Sequence, residues 1–234
     1  MPVASTAKVA EMWRYPVKSL RGQRLRGASI SHRGLPDDRR WAIRDRVSDL
    51  VLSAKREPRL FQARATVHDG QALIETDAGT VFHAADPDIE RELGGWLDRQ
   101  VTLEDSTAPG STDPYFDAHP VHLLTTASLR WAHSITPASV WDVRRFRPNL
   151  LIDVPGEHRP EPEWVGRHLL IGEVELAVVS GTGRCRMTSR RQADLHEDPA
   201  IQRTVNDHAA GELGVYAVVV TPGRIEVGDR CELL

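Results

Sequence analysis

Short runs of β-branched and aliphatic residues, each closed by Gly, Pro or Asp, recur along most of this chain. They leave little room for any architecture other than a mainly β one. Lys8–Tyr15, Ala28–Ser31, Arg39–Asp45, Phe61–Val67, Ala72–Thr76 and Thr80–His83 read as strands, with turns over Arg33–Asp38, at Asp69-Gly70 and at Ala78-Gly79. Short strands at this spacing argue for a compact, barrel-like β unit. A second set follows: Val121–Leu124, Leu150–Ile152, a hairpin of Leu169–Ile171 and Leu176–Val179 around Gly172, then Val215–Val220, Arg224–Val227 and a last strand holding Cys231. Helical spacing is confined to three places. Asp86–Leu97 has Asp86 as the expected N-cap before Pro87, Ala127–His133 is capped by Thr125-Thr126, and a helix from Pro199 has Asp198 as N-cap and Gly211 and Gly214 to end it.

Between the two sets lies Asp105–Pro120, rich in Pro, Gly, Ser and Asp, which reads as a connection between lobes. At 234 residues the chain can bury one large core or two small ones. Its formal net charge of −3 and few aromatics argue against a nucleic-acid role. No stretch approaches the ~18 apolar residues of a membrane helix, and the first residues lack the pattern of a secretory signal, so the expectation is a cytoplasmic protein. Cys185 and Cys231 are the only cysteines. Two thiols make neither a disulfide framework nor a four-thiolate metal site.

The stretch Val179–Ser189 concentrates chemistry. An apolar strand breaks into Gly181-Thr182-Gly183, read as a sharp turn or a close approach to a ligand. Cys185 follows between Arg184 and Arg186, with Arg190 and Arg191 nearby. A free thiol near ~8.5 is drawn toward thiolate by neighbouring cations, and the thiolate is what ligates metals or attacks electrophiles. Arginine also supplies planar donors for phosphate. Taken alone, a buried, inert Cys185 among solvated arginines explains this stretch equally well.

Lysine occurs only at positions 8, 18 and 55, which gives Lys18 weight. With Ser19 it offers one point charge and one hydroxyl to an anion, although a solvated turn is the commoner explanation of such a pair. Arg147-Pro148-Asn149 enters an apolar strand and sets a guanidinium at the mouth of a sheet. A rim arginine satisfied by a carboxylate is the competing reading. His119, His122, His196 and His208 fit no closed zinc pattern.

Together WRYPVKSLRG, RRFRPNLLID, the Gly-Arg-Cys loop and GVYAVVVTPGRIEVGDRCELL resemble the MOSC family in its two-part form, across nearly the whole chain and in the family's order. The resemblance implies a mainly β fold with some α: an N-terminal β-barrel-like domain (6–112) packed on a C-terminal MOSC β-barrel (113–234) with a few helices. It implies that Cys185 ligates the molybdenum of molybdenum cofactor. By the same matching Lys18, Ser19, Arg39, Asp117, His119, Arg147, Gly183, Arg184 and Tyr216 hold the pterin and its phosphate. His119 and Met187-Thr188-Ser189 depart from the residues usual in the family.

The implied activity is an oxidoreductase that reduces N-hydroxylated small molecules (hydroxylamines, amidoximes, N-hydroxylated bases) by oxygen-atom transfer to molybdenum. The chain stops at Leu234 without the four-cysteine ferredoxin-like domain of some bacterial relatives, so the expected electron donor is a separate protein. Two alternatives stay open: a non-catalytic molybdenum-cofactor carrier, and a sulfur carrier using a Cys185 persulfide.

Overall fold

The computed structural model describes residues 7–111 and 114–234. The boundary expected between residues 112 and 113 lies outside them. The described chain is mainly β, with three α-helices. Its first half contains β1 (Lys8–Arg14), β2 (Gln23–Leu25), β3 (Gly27–Ile30), β4 (Trp41–Asp45), β5 (Leu50–Val51), β6 (Arg64–His68), β7 (Gln71–Glu75), β8 (Val81–His83), α1 (Ile89–Leu97) and β9 (Val101–Asp105). The second half contains β10 (Val121–Thr125), α2 (Thr126–Ile135), β11 (Leu150–Asp153), β12 (His168–Ile171), β13 (Val174–Gly183), α3 (Pro199–Ala209), β14 (Glu212–Thr221), β15 (Gly223–Glu226) and β16 (Cys231–Leu233).

An eight-stranded sheet runs in the order β16-β12-β13-β14-β10-β11-β1-β2. Its two ends approach each other where Lys8 bridges Arg230 and the Cys231 amide donates to the Ala7 carbonyl at 2.9 Å. β3 pairs with β15, so the first thirty or so residues are tied into the second half. β4, β5 and β9 form one small sheet and β6, β7 and β8 another. The alternation in β13 explains its facing: Val174, Leu176 and Val178 are buried, while Glu175 and Val179 turn away from the core.

Three apolar clusters fill the interior. One lies within the large sheet, with Met12, Leu123, Ile152, Leu176 and Val215 at its centre. A second joins Val17 and Leu20 to Trp41, Phe61, Ile74 and Leu93. The third seats α2 and α3 against Trp141, Phe146 and Leu151. Cys231 belongs to the first, as its pattern suggested, and burial pushes its thiol up to about 12.

Several boundaries differ from the sequence reading for local reasons. The Asp86 carboxylate accepts the Asp88 amide at 2.8 Å and forms a turn across Pro87, so α1 starts two residues later than read, with Asp88 in place of Asp86 at its N-cap. Phe61 ends a short 3-10 turn (Pro58–Phe61) rather than beginning a strand. Gly181-Thr182-Gly183 is no turn: β13 continues to Gly183, with register irregularities against β14 that bend it, and the chain leaves the sheet only at Arg184. Gly214 lies inside β14 instead of ending α3, whose C-cap is Ala210 in the left-handed region. The caps of α2 and α3 are as expected: Thr125 accepts from the Ser128 amide and Asp198 from the Ala200 amide.

A candidate anion and metal cleft around Cys185

The two halves meet over a cleft of about 470 Å³, lined by Cys185 and by all nine residues that the resemblance matched to the cofactor, but not by Arg186, Arg190 or Arg191. The segment Tyr15–Arg21 brings one wall. Pro16 and Val17 run beside Trp41, with Lys18 donating its amide to the Trp41 carbonyl at 2.8 Å, and Val17–Leu20 closes a turn. The same ladder positions Arg39, whose amide donates to the Tyr15 carbonyl at 2.8 Å. Lys18 and Arg39, 21 positions apart, are thereby set on one rigid scaffold.

The second wall descends from Asn149. Its side-chain oxygen accepts the His122 amide at 3.0 Å, and its amide group donates to the Trp13 carbonyl at 3.3 Å and to Asp38 at 3.0 Å. Asn149 therefore clamps β10, β1 and the turn before β4 together, which accounts for the last residue of the Arg-Pro-Asn phrase. Asp38 is the buried hub of the clamp: it also accepts the Tyr15 amide at 2.7 Å and pairs with Arg39.

Arg147 and Arg39 both cover the Tyr15 ring, at 4.3 and 4.4 Å from its centroid. Their electrostatics differ. Burial opposes the charge on Arg39, but Asp38 outweighs it and its guanidinium titrates above its ordinary value. Arg147 has no carboxylate within ion-pair distance among the described residues and donates only to the Leu20 carbonyl, at 2.6 Å. Burial, then the like charge of Arg39, lowers it to about 10. The carboxylate-satisfied rim arginine is thus ruled out, and Arg147 keeps most of its donors uncommitted.

Backbone strain marks the same positions. Ser19, Arg39 and Arg147 all sit in the left-handed region, at φ 66, 49 and 56, where a side-chain-bearing residue is held at a cost of order 1–3 kcal/mol. The Arg147 carbonyl is fixed by two donors, Arg39 at 3.1 Å and His122 at 3.2 Å. The Ser19 hydroxyl has no hydrogen-bond partner among the described residues.

Cys185 lies two residues beyond the end of β13, at the N-cap of a 3-10 turn (Arg186–Ser189), and is partly exposed in the cleft. Arg184, beside it, is a brace rather than a free cation. It donates to the Leu213 carbonyl at 2.7 Å, to the Phe146 carbonyl at 3.0 Å and to His122 Nε2 at 2.6 Å. Since guanidinium can only donate, Nε2 must accept, and the His122 proton sits on Nδ1, toward the Arg147 carbonyl. Burial first, then Arg184, keeps His122 well below its ordinary value, so it is neutral. Arg184 itself is lowered to about 10 by burial. Arg145, fully enclosed, holds the strand-exit segment by donating to the carbonyls of Thr188, Arg190 and His196.

On the rim, Lys18 donates to Asp117 at 2.7 Å and to the Tyr115 carbonyl at 3.0 Å. Desolvation works against the Asp117 charge, yet Lys18 overcomes it and the carboxyl titrates below its usual range. Tyr216 stands between His119 and His122, at 5.9 and 5.4 Å between ring centroids. Burial, then Asp117, raises its hydroxyl and keeps it protonated. Gly183 faces open space, with nothing within 4 Å of where a Cβ would stand. Gly214 is the opposite case: at φ +83 its Cβ would lie 2.5 Å from the Leu123 carbonyl and 2.9 Å from His122.

Sequence reasoning missed Tyr15, Asp38, His122, Arg145 and Asn149 as parts of this structure. Their roles depend on contacts between residues far apart in the chain, such as Asp38 with Tyr15, 23 positions away, and with Asn149, 111 positions away. Two of them carried a signal: Asn149 closes the Arg-Pro-Asn phrase, and His122 is a histidine inside the apolar run Val121–Leu124.

The MOSC domain family model matches residues 95–232, and that of the MOSC N-terminal beta barrel domain matches residues 6–106. Mitochondrial amidoxime-reducing component 1 of Homo sapiens is 26% identical over 97% of this chain and 82% of its own length. The Mus musculus protein of the same name is 27% identical over the same shares. The crystal structure of the YUAD protein from Bacillus subtilis superposes with a TM-score of 0.55 at 13% identity, covering 97% of this chain and 94% of that one, and shows the shared fold. The MOSC domain is associated with molybdenum-cofactor binding. Matches that begin near the first residue and end near the last identify the chain as a member of the MOSC family, with a MOSC N-terminal beta barrel domain ahead of its MOSC domain.

Proposed function

We propose that the chain is a molybdenum-cofactor-dependent oxidoreductase that reduces N-hydroxylated small molecules, with Cys185 as the protein's ligand to the metal. The observation that carries this reading is the meeting of Cys185 with Lys18, Ser19, Arg39 and Arg147 in one cleft. The donor set fits such a group. No cluster of three or more His, Cys, Asp or Glu side chains able to hold a metal exists among the described residues. A metal bound through Cys185 must therefore bring its other ligands with it, as a dithiolene-bearing pterin does. The cleft is also within the size range of cofactor sites.

The chain's own residues then have separable tasks. Arg147, with uncommitted donors and no carboxylate, suits the anionic end of the cofactor, and Lys18 and the Ser19 hydroxyl add a charge and a donor. The open space at Gly183 admits a bulky group beside Cys185. Arg184, His122 and Asn149 hold these groups in register. The bound cofactor supplies a two-electron centre that can remove oxygen from an N–OH group. The protonated Tyr216 hydroxyl, with the His119 ring beside it, lines the same cleft and can supply a proton there. Electrons come from a separate donor protein.

Molybdenum and pterin analysis of protein made in a cofactor-synthesising host, beside Cys185→Ser, tests the ligand. Metal near one per chain in the wild type and none in the variant is expected; equal metal in both refutes it. Turnover of benzamidoxime with a chemical reductant separates an enzyme from a carrier, and loaded protein without turnover overturns the enzymatic reading.

A further inference from the structure

Behind the Tyr15 ring lies a second cavity of about 300 Å³ that touches the Cys185 cleft only through Arg147. Its walls hold an unusual concentration of cations: Arg21, Arg24, Arg64 and Arg144 besides Arg147. Two of these are matched. Arg24 pairs with Glu11 at 3.3 Å, and Arg144 with Asp142 at 2.7 Å and Asp194 at 2.8 Å. Arg21, Arg64 and Arg147 have no carboxylate within ion-pair distance among the described residues. Arg21 donates to the Gln62 carbonyl at 2.7 Å, but its Nε is buried without a partner. The Tyr15 hydroxyl and the Gln192 amide nitrogen, both on residues only 2% exposed, are likewise unpartnered.

Buried polar atoms are seldom left unpaired, and unmatched like charges around one cavity repel. Two unmatched guanidinium groups, Arg21 and Arg64, with Arg147 shared with the Cys185 cleft and two orphaned side chains around one space, are the signature of a site that expects an anion. The remaining lining is Gly22, Leu195 and Trp13, whose ring stacks on Tyr15 at 6.3 Å and 16°. The volume is at the lower end of small-molecule sites. We propose that this cavity binds a small phosphate ester bearing a planar ring, of nucleoside-monophosphate size, with Arg21 and Arg64 gripping the phosphate and Trp13 flanking the ring. It does not depend on Cys185 or on any metal.

Calorimetric titration of the full chain with GMP and AMP, with inorganic phosphate beside them, tests the proposal. Saturable binding of at least one nucleotide below about 1 mM is expected, weakened about tenfold in Arg64→Ala and in Arg21→Gln, the loss usual for a charge-assisted contact. Lys18→Ala and Cys185→Ser, on the other cleft, should stay within about threefold of wild type, less than one such contact. The Arg64 side chain is exposed and makes no hydrogen bond among the described residues, so its variant keeps the fold even if Arg21→Gln does not. Three results overturn the proposal: no saturable binding of either nucleotide, binding lost in Lys18→Ala but retained in Arg64→Ala, or phosphate bound as tightly as the nucleotides.

Discussion

Replacing His122 by Gln should remove a measurable part of the acid sensitivity of folding. His122 is buried and neutral, with Nε2 accepting from Arg184 at 2.6 Å and Nδ1 facing the Arg147 carbonyl at 3.2 Å. Burial disfavours the charged imidazole, and protonation would also place a cation against Arg184, which is why its folded value lies well below the ordinary one. Unfolded, the side chain titrates near ~6.5. The unfolded state then binds the extra proton as pH falls, so His122 contributes stability that is complete above about 6.5 and shrinks below it until the folded value is reached. For one group the loss approaches about 1.4 kcal/mol per pH unit, which makes roughly 1.4 kcal/mol between pH 7.5 and 5.5. Gln can still accept from Arg184 and donate to the Arg147 carbonyl, but cannot ionise. Urea unfolding of both proteins at pH 7.5, 6.5 and 5.5 should show the wild type losing more stability than the variant by that amount. Parallel pH profiles would refute the buried neutral imidazole.

Three further outcomes follow from the same geometry. Gly183→Val should leave the fold intact, with stability within about 0.5 kcal/mol, because open space surrounds its Cβ position; molybdenum retention should nevertheless fall sharply, read by metal analysis. Arg147→Met should leave cofactor-free stability unchanged or raise it by about 1 kcal/mol, since an unpaired buried cation is removed, while cofactor retention is lost; denaturant curves and metal content check both halves. Arg184→Met should instead cost about 2–4 kcal/mol, because the Leu213 and Phe146 carbonyls lose their donor; a midpoint unchanged in urea would show that Arg184 is not a brace.

Much of the site was legible in the residues themselves, and for chemical reasons. A cysteine among arginines after a β run, a scarce lysine beside serine, and Arg-Pro-Asn at a strand entrance are local patterns. The family resemblance added Asp117, His119 and Tyr216, and all of them line the cleft. The misreadings were local too. Gly181-Thr182-Gly183 suggested a turn because glycine permits one, but pairing with β14 holds that stretch extended to Gly183. Asp86 carried the cap signal for α1, but its carboxylate closed a turn over Pro87 first.

Which elements exist, which faces of the strands are buried and which side chains carry chemistry were decided by the order of residues, because alternation, caps and side-chain type act within a few positions. Whether an arginine is a grip or a brace was not. Arg147 and Arg184 look alike in the chain, yet one keeps most of its donors free and the other gives them to Leu213, Phe146 and His122. That difference comes from carbonyls and carboxylates that only the folded chain brings within hydrogen-bonding reach.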